Sequence, residues 1–168
     1  RRRLYGDQHS TVAVALSNLA VVLKDKGELD TAEEMLRESL RVRRQVFGDQ
    51  SPSVANGLHK LGSVLQKKKK WVEGEAVVRE ALAIRRDTLG DEHPTVGKDL
   101  VLLASLLSDA GDAASAQRLY REALAIDAFI NPCEEALSEC LDYIYDETGA
   151  LIPGRLREEP SGGRALHG

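Results

Sequence analysis

Apolar residues recur along the chain at helical spacing. Leu16, Leu19, Ala20 and Leu23 occupy the i, i+3, i+4 and i+7 positions of one helix face, and Leu58, Leu61, Gly62 and Leu65 repeat the arrangement further on. Ala32, Leu36, Ser39 and Leu40 mark a second helix, which the capping-box spacing of Asp30 and Glu33 predicts to open at Asp30. Gly27 and Gly111 fall between paired helices. The pattern predicts helix hairpins.

The hairpins repeat. Gly-Asp stands at Gly6-Asp7, Gly48-Asp49 and Gly90-Asp91, an interval of 42 residues both times. Blocks 6–47, 48–89 and 90–131 overlay without insertion, and sixteen positions are identical between the first two. Val12, Val54 and Val96 share a column, as do Leu19, Leu61 and Leu103, then Leu23, Leu65 and Leu107, and Leu40, Leu82 and Leu124. Ser51-Pro52 supplies an N-cap and a proline at the first helical position, and His93-Pro94 falls in the same place. A single hairpin cannot bury both its faces, so three of them must stack to form a continuous core. Small residues (Ala20, Gly62, Ala104 and Ala32, Gly74, Ala116) recur where helices approach closely.

The ends fit the same frame. Arg1, Arg2, Leu4 and Tyr5 fall one period before Arg43, Arg44, Val46 and Phe47, which makes residues 1–5 the end of a preceding repeat. After Asn131-Pro132, the apolar face of Cys133, Leu137, Cys140, Leu141 and Ile144 predicts a polar capping helix over 132–148. Residues 149–168, with Pro153, Pro160 and several glycines, are expected to form a disordered tail.

Composition narrows the class. Of 168 residues 42% are apolar, 30% charged and only 4% aromatic, which suits a helical core of Leu, Val and Ala. The formal charge of −4 is too small to predict nucleic acid or membrane as a general partner, so a binding site must be local. Two cysteines provide no disulfide framework, no apolar run reaches membrane-spanning length, and a cytoplasmic protein is expected. The only methionine is Met35, which implies a piece of a longer chain.

The columns Leu16/Leu58/Leu100, Ala20/Gly62/Ala104, Leu23/Leu65/Leu107, Ala32/Gly74/Ala116 and Ser39/Ala81/Ala123 resemble the tetratricopeptide signature. Its usual period is about 34 residues, and eight more add about two helical turns. GDEHPTV (Gly90 to Val96), SNLA (Ser17 to Ala20) and REALAIRR (Arg79 to Arg86) look like the 42-residue variety found in kinesin light chains and nephrocystin-like proteins. The resemblance covers roughly residues 1–131. It implies an all-α, right-handed solenoid whose first helices line an inner groove that binds an extended peptide. Asn18 matches one of the asparagines that hold the peptide backbone in kinesin light chains; Lys60 and Leu102 stand in its place in the next blocks.

No catalytic machinery emerges. None of His9, His59, His93 and His167 has metal-ligand spacing, and His9 and His93 share a column at a helix start. Cys133 and Cys140 read as buried apolar residues. No phosphate-binding or nucleophile-elbow motif is present, so no enzyme activity, cofactor or metal is expected. Lys67 to Lys70 beside Trp71 offer an alternative function, binding RNA or an acidic lipid surface. A third reading is the regulatory repeat array of a larger signalling enzyme.

The groove is the better candidate. Ser17, Val21 and Lys24 flank the buried stripe of the first helix, with His59, Ser63 and Gln66, then Val101 and Ser105, in the corresponding columns. Asn18, Lys60 and Lys98 complete the expected peptide-binding set. The expected function is a protein-binding scaffold for a peptide or partner helix, with acidic residues favoured by Lys24, His59, Lys60 and Lys98. Blocks ending at Phe47, Leu89, Asn131 and Gly168 carry +2, +3, −4 and −5, so an acidic partner should prefer the first two repeats.

Overall fold

A computed structural model describes the backbone of residues 2–130 and the side chains of 9–126. The expected capping helix at 132–148 and tail at 149–168 lie outside these residues. Among the described residues the elements are α1 (Arg2–Lys26), α2 (Leu29–Phe47), α3 (Pro52–Lys67), α4 (Trp71–Leu89), α5 (Pro94–Asp109) and α6 (Ala113–Ile130). They form an all-α solenoid of three hairpins, α1–α2, α3–α4 and α5–α6.

The repeated turns have repeated causes. Gly48 and Gly90 follow α2 and α4 at φ +81° and +89°, each donating its N–H to the carbonyl of Arg44 or Arg86. The next helix is then capped by Ser51, whose Oγ accepts from the Val54 amide at 3.3 Å, or by His93, whose Nδ1 accepts from the Thr95 amide at 3.2 Å. The first block departs from this. α1 runs without a break from Arg2 through Gly6 and His9, so residues 2–5 are its first turn and His9 starts no helix. Pro52 and Pro94 bar the residue before them from helical geometry, whereas Ser10 stands in that column and imposes no such bar.

A second correction concerns α2. Its N-cap is Glu28, which makes no side-chain capping bond, and the Asp30 and Glu33 carboxylates instead accept from Lys68 of the following repeat.

Within the hairpins, Gly27 and Gly111 turn the chain at φ +88° and +95°, and the same column in the middle hairpin holds Lys69 at φ +59°. A Cβ in that left-handed region costs about 1–2 kcal/mol. Lys69→Gly is therefore expected to raise stability by about 1 kcal/mol, read as a higher urea midpoint; an unchanged or lower midpoint would show that the lysine is not strained there.

Two apolar clusters form the core, one centred on Leu36, Leu58 and Leu65 and the other on Val78, Leu100 and Leu106. The small-residue columns have their expected use: a Cβ on Gly62 would lie 2.3 Å from Val78 Cγ2, and one on Gly74 would lie 2.9 Å from Leu106 Cδ2. Leu61 and Leu103 are 4% and 2% exposed, but Leu19 in the same column is 47% exposed, because no helix precedes α1 among the described residues.

Helix spacing sets the curvature. Cα atoms of α1 and α3, and of α3 and α5, come within 8 Å of each other, whereas α2 and α4, or α4 and α6, do not. The stack therefore bends with α1, α3 and α5 on its inner side.

Candidate functional site on the inner surface

The inner helices carry a repeated ladder of polar contacts. Lys24 Nζ donates to Ser63 Oγ at 3.4 Å, and one repeat on Gln66 Nε2 donates to Ser105 Oγ at 2.6 Å and to Asp109 Oδ2 at 2.8 Å. Lys60 Nζ reaches back to Asn18 Oδ1 at 3.3 Å, and His59 Nδ1 lies 2.7 Å from Asp99 Oδ1. Eight of the eleven expected residues thus meet across neighbouring repeats or line the same recess. That recess, about 190 Å³ between α1 and α3, is lined by Val21, Lys24, Leu36, His59, Lys60, Ser63 and Val64.

The other three differ. Ser17 is fully buried, and the geometry uses it up: Ser39 Oγ donates to the Ala13 carbonyl at 2.7 Å, Ser17 Oγ donates to Ser39 at 2.8 Å, and Arg43 Nη2 donates to Ser17 at 3.2 Å. Ser17 therefore belongs to the α1–α2 interface and offers nothing to a ligand. Lys98 and Val101 are exposed on α5 and do not line the recess.

Beneath the recess lies a feature that local patterning does not reveal. The recurring Arg-Arg of each block divides its labour, with Arg43 and Arg85 turned inward, 6% and 4% exposed, and Arg44 and Arg86 spanning the outer side to Glu80 and Glu122. Arg85 meets a carboxylate, Asp99 Oδ1 at 2.6 Å, together with the Thr95 carbonyl and Asn56 Oδ1. Arg43 hydrogen-bonds only neutral oxygens: Ser17 and Ser39 hydroxyls and the Ser53 hydroxyl and carbonyl. Its charge is felt at Lys60, whose ammonium is held below its ordinary range first by burial and then by the positive charge of Arg43. The first-to-second repeat junction consequently buries a guanidinium with no carboxylate partner beside Lys60, while Lys24 pairs with Asp25 at 3.8 Å, and the second-to-third junction is neutralised from within by Asp99.

The lysine run lies elsewhere, at the α3–α4 turn. Lys68 bonds Asp30 and Glu33, and Lys70 Nζ bonds Glu33 Oε1 at 3.1 Å, while Lys67 and Lys69 are exposed. Half of the run is thus committed to joining two repeats. Trp71 opens α4 and packs against the second core cluster. Among the described residues no cluster of His, Cys, Asp and Glu could hold a metal, and no helix is long and apolar enough to cross a membrane.

Stacked helix hairpins enclosing an inner groove define a helical repeat scaffold. Residues 12–53 and 53–128 both match the tetratricopeptide repeat family, and the chain belongs to it. Among solved structures it is similar to BtubC (BKLC) from P. vanneervenii, with 27% identity and a TM-score of 0.66 over 71% of this chain and 48% of that one. The nearly identical TPR-like repeats of a Podosopora anserina protein described as a kinesin light chain align with a TM-score of 0.70 at 21% identity, over 80% of this chain and 64% of the other. The N-terminal domain of stress-induced protein-1 (STI-1) from C. elegans aligns over 80% of this chain and 94% of its own, with a TM-score of 0.61 at 14% identity. This chain spans about half the length of the first of these and just under two thirds of the second. No curated protein sequence shows significant similarity to it.

Proposed function

We propose that the chain is a non-catalytic, cytoplasmic protein-interaction module of adaptor type that docks an acidic peptide or partner helix along α1, α3 and α5. Membership of a family whose domains generally bind proteins or peptides supports the coarse reading. The single observation that carries the finer one is the recess between α1 and α3, where the Lys24 and Lys60 ammonium groups flank His59 close to a buried guanidinium lacking a carboxylate partner. A peptide carboxylate supplies the missing charge there, while Asn18, Ser63 and Gln66 offer backbone hydrogen bonds.

A fluorescein-labelled oligo-aspartate peptide, titrated with the protein and followed by anisotropy, tests this. Lys24→Glu combined with Lys60→Glu is expected to weaken binding by about a hundredfold, since each lost charge contact is worth about 1–2 kcal/mol. Undiminished affinity in the double variant contradicts the proposal.

A further inference from the structure

The outer side of the stack carries two clefts related by the repeat. The first, about 370 Å³, lies between α2 and α4 on a floor that includes Leu61 of α3; the second, about 470 Å³, lies between α4 and α6 with Leu103 of α5 in the same place. They act as internal controls for each other. In the first, Arg37 on one wall pairs with Glu73 on the other, and Arg44 pairs with Glu80. In the second, Arg86 keeps its equivalent partner Glu122, but Ser115 stands where Glu73 stood. Arg79 is left with Glu75 of its own helix at 2.8 Å and no carboxylate across the cleft. On that opposite wall Arg118 has replaced Ala76, and its Nη2 donates to Ser115 Oγ at 3.0 Å. Across the cleft from Arg79 a carboxylate has thus given way to a hydroxyl; Arg118 is balanced at the start of α6 by Asp112, which stands in the column of Lys70 and accepts from the Ser115 amide at 3.1 Å, and no residue lining the second cleft is acidic.

We propose that the α4–α6 cleft is a second docking surface, taking a partner segment in which a carboxylate side chain neighbours a leucine-sized apolar one. The carboxylate sits against Arg79, with Arg118 on the facing wall already turned toward Ser115 and Asp112, and does for Arg79 what Glu73 does for Arg37. Guanidinium groups on two rigid helices suit a planar carboxylate, which they can hold through paired hydrogen bonds. The apolar neighbour rests on Leu103, Leu107 and Leu119. This surface faces away from the inner groove, so the scaffold can hold two acidic segments at once.

The decisive variant is Ser115→Glu, which restores the carboxylate that the first cleft has. It closes the cleft by pairing with Arg79 and is compatible with the fold, because Glu73 holds the same helical position and an acidic residue near a helix N-terminus is favourable. A fluorescein-labelled peptide of repeating Leu-Glu-Glu is titrated by anisotropy with the unaltered chain, with Ser115→Glu, with Arg118→Ala, and with the inner-groove variant Lys24→Glu/Lys60→Glu. Ser115→Glu and Arg118→Ala should each weaken binding by about tenfold or more, the inner-groove variant should retain a binding phase at this cleft, and the urea midpoint of Ser115→Glu should not fall. Affinity unchanged in Ser115→Glu, binding abolished by the inner-groove variant alone, or no binding up to about 1 mM peptide would each overturn the proposal.

Discussion

Asp99→Ala is expected to destabilise the stack by about 3–5 kcal/mol, the range for removing one partner of a buried ion pair. Asp99 is completely buried, and its Oδ1 receives both Arg85 Nη1 at 2.6 Å and the His59 ring at 2.7 Å. Without it the Arg85 guanidinium, itself 4% exposed, keeps only the Thr95 carbonyl and Asn56 as partners and loses its counter-charge. The loss falls on the junction of the second and third repeats, because Asp99 is on α5 and Arg85 on α4. Urea unfolding followed by circular dichroism measures it, and Arg85→Met combined with Asp99→Leu should recover most of the stability, since a buried pair replaced by apolar residues is often neutral. A cost below about 1 kcal/mol for Asp99→Ala would mean that the pair is effectively solvated.

Glu33→Gln is expected to cost about 2 kcal/mol, less than Asp99→Ala because its cationic partners are partly solvated. The Glu33 side chain is 4% exposed and is held by Arg37 Nη1 at 2.6 Å as well as by Lys68 and Lys70. Burial pushes its carboxyl up, but the lysine hydrogen bonds and the Arg37 charge outweigh burial and hold it below its ordinary value of 4.5. The unfolded chain therefore takes up this proton first as pH falls. The stabilisation is complete above the ordinary value and disappears as pH drops through the lower, folded one. The gap in urea midpoint between the parent and Glu33→Gln should accordingly be full well above 4.5 and shrink as the pH falls below it. A gap independent of pH would show that the charge contributes nothing.

Much of the fold was legible in the sequence because a 42-residue period averages out local noise. The columns of Leu58 and Leu100, the close approaches at Gly62 and Gly74, and the caps at Ser51 and His93 all follow from residue type at a fixed offset. Where a column departs from its neighbours, the sequence misleads: Ser10 replaces a proline and the first helix runs on, and Asp30 and Glu33 look like a capping pair but serve Lys68.

The inner surface was legible as a set of flanking positions and illegible in its charge. Ser17 lies on the flank that turns toward α2, a phase difference that helical periodicity alone does not resolve. The role of Arg43 depends on hydroxyls from Ser17, Ser39 and Ser53 on three helices. Local spacing cannot report such a partnership, although the identical Arg-Arg at 43–44 and 85–86 was its one visible trace.

The proposed docking of an acidic peptide in the recess between α1 and α3 can be mapped residue by residue. Amide chemical-shift mapping during titration with oligo-aspartate tests it most directly. Saturable shifts are expected, centred on Val21, Lys24, His59, Lys60 and Ser63, diminishing along α5 and lost in Lys24→Glu/Lys60→Glu. Shifts confined to α2, α4 and α6, or saturable binding that leaves the α1 and α3 amides unmoved, would contradict it.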